Sequence, residues 1–135
     1  MGQDCSIVKR AMVKGESILI GPLPGELYWA YIESEHRRPI IIVSQQKLNL
    51  GKYVVAIPLT SKNLEKRWNL PNCVSFKAGS FGLKKDCVAQ CEGITVVDKD
   101  FIELNTGPIG TLDGEKWRLL LHAIGYVVCA VCEPE

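Results

Sequence analysis

Apolar positions along the chain follow two different periods. Short runs rich in aromatic and β-branched residues recur at 27–32, 40–43, 53–58, 73–76, 87–91 and 94–97; runs of this length and composition between turn-forming residues read as strands. The separators carry loop chemistry: 33–38 ahead of Pro39, Asn49-Leu50-Gly51, a long polar stretch at 61–72, and the segment 78–82. After Thr111-Leu112-Asp113-Gly114 the period changes, because Trp117, Leu120, Leu121 and Ile124 fall at i, i+3, i+4 and i+7, one face of a helix. Thr111 or Asp113 can cap its first amides, Glu115 suits the positive end of its dipole, and Gly125 is a candidate stop. Beyond Gly125, residues 126–131 suit either a last strand or continued buried helix. Five or six short strands and one terminal helix predict a mainly β fold, a small, strongly bent antiparallel sheet or partly open barrel covered by that helix.

Size and composition agree with one ordinary domain: 135 residues, 47% hydrophobic and 23% charged. Residues 1–24 read as an attached arm, ending in Gly21-Pro22-Leu23-Pro24-Gly25, with the domain at 25–135. The longest uncharged apolar stretch, 123–132, is about half of the ~20 residues that a membrane-spanning helix needs. The N-terminal region holds no apolar run of secretory-signal length, so a cytoplasmic location is expected. In that setting the six cysteines read as thiols and not as a disulfide framework. Cys87 and Cys91 share one face of a strand, and their spacing to Cys129 and Cys132 gives no distinctive zinc signature, so no metal is called. The net charge of +1 hides an asymmetry: segment 35–67 holds seven Lys/Arg against Glu35 and Glu65, a local excess of +5 that suits an anionic partner.

No phosphate-binding Gly-rich loop, His-Glu-x-x-His or Gly-x-Ser-x-Gly motif is present. His122 flanks the helix core and reads as a boundary residue. His36 stands beside Arg37 and Arg38, where an imidazole can move protons at neutral pH. The informative arrangement is Arg37-Arg38-Pro39 before the aliphatic run at 40–43 and Thr60-Ser61 after the run at 53–58, followed by Lys62, Lys66 and Arg67. If those two strands pair antiparallel, Arg38 at the entrance of one lies beside Thr60 at the exit of the next. A guanidinium fork next to a hydroxyl makes an anion site matched to phosphate oxygens.

Taken in order, Gly25-Glu26-Leu27-Tyr28-Trp29, Arg38-Pro39, Ile57-Pro58-Leu59-Thr60-Ser61, Asp86-Cys87-Val88, Cys91-Glu92-Gly93-Ile94-Thr95 with Val96-Val97-Asp98-Lys99, and the segment 107–111 before a helix resemble the MazF/PemK toxins over about residues 25–128. The resemblance implies an SH3-like barrel with a C-terminal helix, a homodimer, inhibition by a cognate antitoxin, and metal-independent cleavage of single-stranded RNA with no cofactor. Carried over by position, Arg38 and Thr60 are the catalytic pair, and Glu92 matches the family's later strand motif. Gly93 stands where a Gln is common, and the loop at 33–37 is shorter than the family's. RNA carries its own 2′-hydroxyl nucleophile, so positioning, proton transfer and stabilisation of phosphoryl charge suffice. Arg38 suits the charge, Thr60 the positioning, His36 and Glu92 are candidate bases, and Arg37, Ser61, Lys62, Lys66 and Arg67 would guide the RNA backbone. Two other readings keep the barrel: a non-catalytic binding module, favoured by the short loop and Gly93, and a CcdB-like gyrase-directed toxin, which needs no nuclease residues.

Overall fold

Alternation along the strands divides one curled sheet into two apolar faces. The computed structural model describes residues 21–32 and 36–129. The strands are β1 (Glu26–Tyr31), β2 (Arg37–Ile42), β3 (Tyr53–Thr60), β4 (Cys73–Phe76), β5 (Cys87–Gln90), β6 (Thr95–Asp98) and β7 (Gly110–Thr111). They lie in the order β4-β5-β3-β2-β1-β7, with β6 also paired to β3. Every pairing is antiparallel. The long β3 ties the fold together: residues 56–58 pair with β2, residues 53–56 with β6, and Leu59 and Thr60 with β5. Two helices complete the described residues, the single turn α1 (Leu64–Arg67) and the longer α2 (Gly114–Val128).

Odd and even strand positions go to separate cores. Leu27, Ile41, Ile57, Leu59, Phe76 and Cys91 pack under α2, which contributes Leu120 and Ala123. Tyr28, Ala30, Ile40, Ile42, Val54 and Ala56 form a second cluster on the reverse face, closed by Val97 and Ile102. Removing these side chains from water at ~25 cal/mol per Å² is the main force holding the sheet in its curl. This is the mainly β architecture with a C-terminal helix that the apolar pattern predicts.

Several boundaries differ from the sequence reading for physical reasons. The helix runs through Gly125 to Val128, because Ile124 and Val127 pack against the core and offset the ~1 kcal/mol that a helical glycine costs. The helix ends at Cys129, whose left-handed backbone (φ 56°) closes it. Asp113 is the N-cap, accepting the Lys116 amide, while Thr111 is taken up by β7. Strand β2 begins at Arg37, so the arginines sit in the sheet and not in the loop before it. The polar stretch 61–72 contains α1. Of the predicted arm, residues 1–20 lie outside the described residues, as do 33–35 of the short loop. Residues 21 and 22 join the body: buried Asn49 donates to the Pro22 carbonyl at 2.7 Å, and a Cβ on Gly21 would stand 2.7 Å from Asn49 backbone. Among the described residues no helix is long and apolar enough to cross a membrane.

Candidate active site

The β2–β3 register, extended beyond its last pair, directs Arg38 and Thr60 toward the same sheet edge. Ile40 lies opposite Pro58, and both Arg38 and Thr60 are two residues further along the same register toward the same sheet edge. Side chains two apart share a face, so guanidinium and hydroxyl project together. On the other side of β3, Thr60 lies opposite Val88, and Val88 opposite Ser75. A row of Thr60, Val88 and Ser75 thus crosses three strands, ~4.8 Å per step, while the β2–β3 ladder ends at Ile40 and Pro58, two residues short of Arg38 and Thr60. The connection 61–72 passes over this row and is fastened there by the Ser75 hydroxyl donating to the Trp68 carbonyl.

Thr60 is half-buried, and its hydroxyl oxygen accepts the Lys62 amide at 3.2 Å. That bond uses the oxygen as acceptor and leaves its proton to be donated. Arg38 is also half-buried. Among the described residues no carboxylate or carbonyl engages its guanidinium. Its neighbour behaves in the opposite way: Arg37 binds Glu103 at 2.8 Å and lies 4.5 Å over the Trp29 ring. Consecutive strand residues point to opposite faces, so the Arg-Arg pair is divided between the two sides of the sheet. Register thus assigns Arg38 and Thr60 to one face and one edge of the sheet, and Arg37 to the opposite face.

Glu92 lies just beyond β5 in a 3-10 turn (Cys91–Gly93). Its carboxylate accepts the Asn72 side-chain amide at 2.6 Å and that of Gln90 at 3.0 Å. Gln90 is two residues from Val88 on β5 and so shares the Thr60 face, which turns Glu92 toward the same side. Gly93 sits beside Pro58, with 4.0 Å between the proline Cδ and the position of a Cβ. His36 is exposed and immediately precedes β2. Ser61 and Lys62 follow Thr60 directly, and Lys66 and Arg67 lie on α1, where Arg67 donates to the Lys62 carbonyl at 3.0 Å.

Asn72 and Gln90 are site residues that sequence reasoning missed. Gln90 gives a faint signal, a polar residue inside an otherwise apolar strand run; Asn72, in a polar loop, gives none. The linear charge segment is also redrawn by the fold. Lys47 and Lys52 belong to the β2–β3 connection at the opposite end of the sheet, where Lys52 lies 3.6 Å from Asp98.

The thiols beside the site are core groups. Burial, with Asp86 adding to it, pushes the Cys87 thiol up to about 11. Burial first, then the Cys73 thiol and the Glu92 charge, raise Cys91 to about 12. Cys73 is also raised, by burial and then Glu92, with Arg67 opposing. Cys129, expected from the sequence to be a thiol, is instead disulfide-bonded; Cys5 and Cys132 lie outside the described residues. An open depression of about 430 Å³ between Lys99 and Thr106 borders Glu103 and includes neither Arg38 nor Thr60.

Comparison with known proteins bears on this arrangement. Residues 23–128 match the family model of the PemK-like, MazF-like toxins of type II toxin-antitoxin systems. None of the curated proteins matches the chain. Among solved structures, an endoribonuclease in complex with its cognate antitoxin from a mycobacterial species superposes with a TM-score of 0.66 at 23% identity, covering 84% of this chain and 99% of that one. The Mycobacterium tuberculosis toxin MazF-mt6 gives 0.64 at 19% identity, over 77% and 96% of the two chains. The MazE-MazF structure from Deinococcus radiodurans gives 0.63 at 17%, over 80% and 95%. At these identities the superpositions speak for the fold, and the family model spans most of the chain: the protein belongs to the PemK-like, MazF-like toxins of type II toxin-antitoxin systems.

Proposed function

We propose that this toxin is an endoribonuclease that cuts single-stranded RNA by in-line attack of the 2′-hydroxyl on the adjacent phosphate. The observation that carries the reading is the half-buried Arg38 guanidinium, which no carboxylate or carbonyl among the described residues engages, on the same face and edge by register as Thr60. Keeping a cation there without a counter-charge costs free energy, and an incoming phosphate supplies the missing partner. Arg38 stabilises the negative charge that grows on the phosphoryl oxygens with its fork of donors, and the departing 5′-oxygen takes its proton from water. Thr60 donates its proton to a phosphoryl oxygen or holds the 2′-hydroxyl in line. Glu92, oriented by Asn72 and Gln90, is placed to accept the 2′-hydroxyl proton, with His36 the second candidate base. The open space beside Gly93 gives a base or ribose room against Pro58, which favours this reading over a non-catalytic module.

The same proposal includes two protein partners. An antitoxin partner is supported by the structural relative that is bound to its cognate antitoxin. Self-association is supported by α2, where Leu119 and Tyr126 on one margin of the buried stripe and Leu121 and Val128 on the other are each at least 43% exposed. At ~100° per residue these margins widen the apolar arc to roughly 200°, twice what one sheet face covers.

The test is incubation of purified protein with single-stranded RNA in the presence of EDTA. The expected products carry a 2′,3′-cyclic phosphate and a 5′-hydroxyl, DNA of the same sequence stays intact, and Arg38→Ala slows cleavage by roughly 10²–10³. Cleavage that persists unchanged in Arg38→Ala, or equal cleavage of DNA, refutes the assignment.

A further inference from the structure

Three lysines outside the basic segment at 35–67 are carried by the fold to the sheet end that holds Arg38 and Thr60. Phe76 lies opposite Cys87, and Val88 opposite Thr60. Lys77 therefore leaves β4, and Lys84 and Lys85 approach β5, at the edge where β3 ends and β2 begins. All three are exposed, and among the described residues none of them is in an ion pair. Asp86, the acid of this loop, has a carboxylate oxygen accepting the Ala78 amide at 2.8 Å.

The loop that displays these lysines is fastened to the core. Leu83 is buried, and the Phe81 ring meets Phe76 edge-on at 6.1 Å. A Cβ on Gly82 would stand 2.2 Å from the Ile109 carbonyl oxygen, and one on Gly110 would stand 2.1 Å from that of Phe81, so the two segments touch backbone to backbone at both glycines. Inside the loop, the Gly79 amide donates to Leu83 at 2.7 Å and the Leu83 amide to Ser80 at 2.9 Å. Charges held on a fixed platform lose little entropy when they bind.

We infer that the 77–86 loop is a second phosphate-contacting arm for the RNA, with Lys77, Lys84 and Lys85 taking the chain that extends beyond the Arg38–Thr60 pair. Three strand spacings separate β2 from β4, about 14 Å, so the arm stands at the same sheet end as Arg38, across the uncharged Thr60, Val88 and Ser75. The inference rests on the endoribonuclease reading and adds the extent and direction of the substrate track. An acidic protein segment is the other polyanion that such a surface could take; the arm's place at the sheet end that holds Arg38 favours RNA.

The test measures binding of a 2′-O-methyl oligonucleotide, which lacks the nucleophile and stays intact, as a function of salt. Neutralising three phosphate contacts on a single strand removes ~0.7 from the log–log slope for each. The Lys77→Gln/Lys84→Gln/Lys85→Gln protein is therefore expected to show a slope shallower by about 2, with affinity down by roughly 10- to 100-fold at 0.1 M salt. Lys47→Gln/Lys52→Gln, at the far end of the sheet, keeps the wild-type slope. Melting temperatures within a few degrees of wild type show that the variants fold. An unchanged slope in the triple variant, with wild-type protein still cutting RNA, overturns this inference and leaves the function standing. Loss of binding to a poly-glutamate peptide with an unchanged oligonucleotide slope also overturns it, giving the loop to a protein partner. Wild-type protein that neither cuts RNA nor binds the oligonucleotide removes the endoribonuclease reading and the inference together.

Discussion

Replacing Thr60 by Val isolates the hydroxyl, because valine keeps the β-branched shape and strand preference of threonine. In the folded protein the hydroxyl oxygen has one bond, from the Lys62 amide at 3.2 Å, in an exposed turn. Water can take over that amide, so the expected stability loss is about 0.5 kcal/mol, no more than a few degrees in melting temperature for a domain of this size. The loss in catalysis should be larger. A hydrogen bond to a charged phosphoryl oxygen is worth roughly 1.5–3 kcal/mol, which converts to a 10- to 150-fold fall in kcat/KM. Initial rates on a short fluorogenic RNA, measured beside a thermal melt, separate the two effects. Thr60→Ser retains the hydroxyl and should recover most of the rate. Activity of Thr60→Val within twofold of wild type means that the hydroxyl does not touch the reacting groups. Equal losses in Val and Ser mean that the side chain's shape matters and its proton does not.

Other expectations follow from packing and burial. Leu120→Ala removes the fully buried centre of α2 and should cost about 2–5 kcal/mol, read as a lower urea midpoint. Gly110→Ala drives a Cβ to 2.1 Å from the Phe81 carbonyl and should cost more than about 2 kcal/mol, whereas Gly93→Gln meets only Pro58 and should stay within about 0.5 kcal/mol; equal melting temperatures for the two would contradict the contact. The Cys87 and Cys91 thiols, held up at about 11 and about 12 from an ordinary 9.0, should resist a thiol reagent at pH 8 until the protein unfolds. Because the folded state disfavours their ionisation, stability is complete below pH 9 and falls as the pH rises from there toward 12; denaturation midpoints that rise across this window would reverse the sign.

What the sequence discloses here depends on how far a signal extends along the chain. Strands β1 and β3 are legible because four or more apolar residues in succession have few other uses in a chain of this composition, and β4 and β5 because short apolar and β-branched runs stand between turn-forming residues. Strand β7 is not, since Gly110 and Thr111 are two residues held by Leu27 and Glu26 from a distant strand. By composition Arg37 and Arg38 close the polar separator ahead of Pro39, yet β2 begins at Arg37 and runs through the proline. Here the β2–β3 ladder begins only at Ile40, so the missing amide of Pro39 forfeits no bond to β3. That Arg38 and Thr60 belong to one sheet edge is readable from antiparallel geometry, given the β2–β3 pairing. The clamp on Glu92 is not, because Asn72 reaches it from twenty residues away. Charge misled in its own way: counting along the chain joined Lys47 to Arg38, and only the strand directions separate them.

The two arginines of β2 show how such a site is kept open. They are the same side chain at adjacent positions, so sequence alone assigns them one role. The pleat separates them, and their surroundings then differ in kind. Arg37 meets a carboxylate and an aromatic face, partners that hold the end of β2 against β1 and the segment at Glu103. An exposed pair of this sort adds at most about 1 kcal/mol, but it fixes where the strand ends. Arg38, one residue on, inherits that fixed backbone and has no such partner among the described residues. A fold selected for stability alone would have placed an acid or a hydrocarbon at this position. Under the proposed reading, a cation with no partner among the described residues, on the edge that Thr60 shares, keeps its interaction for a ligand, because its electrostatic gain is realised only when an anion arrives.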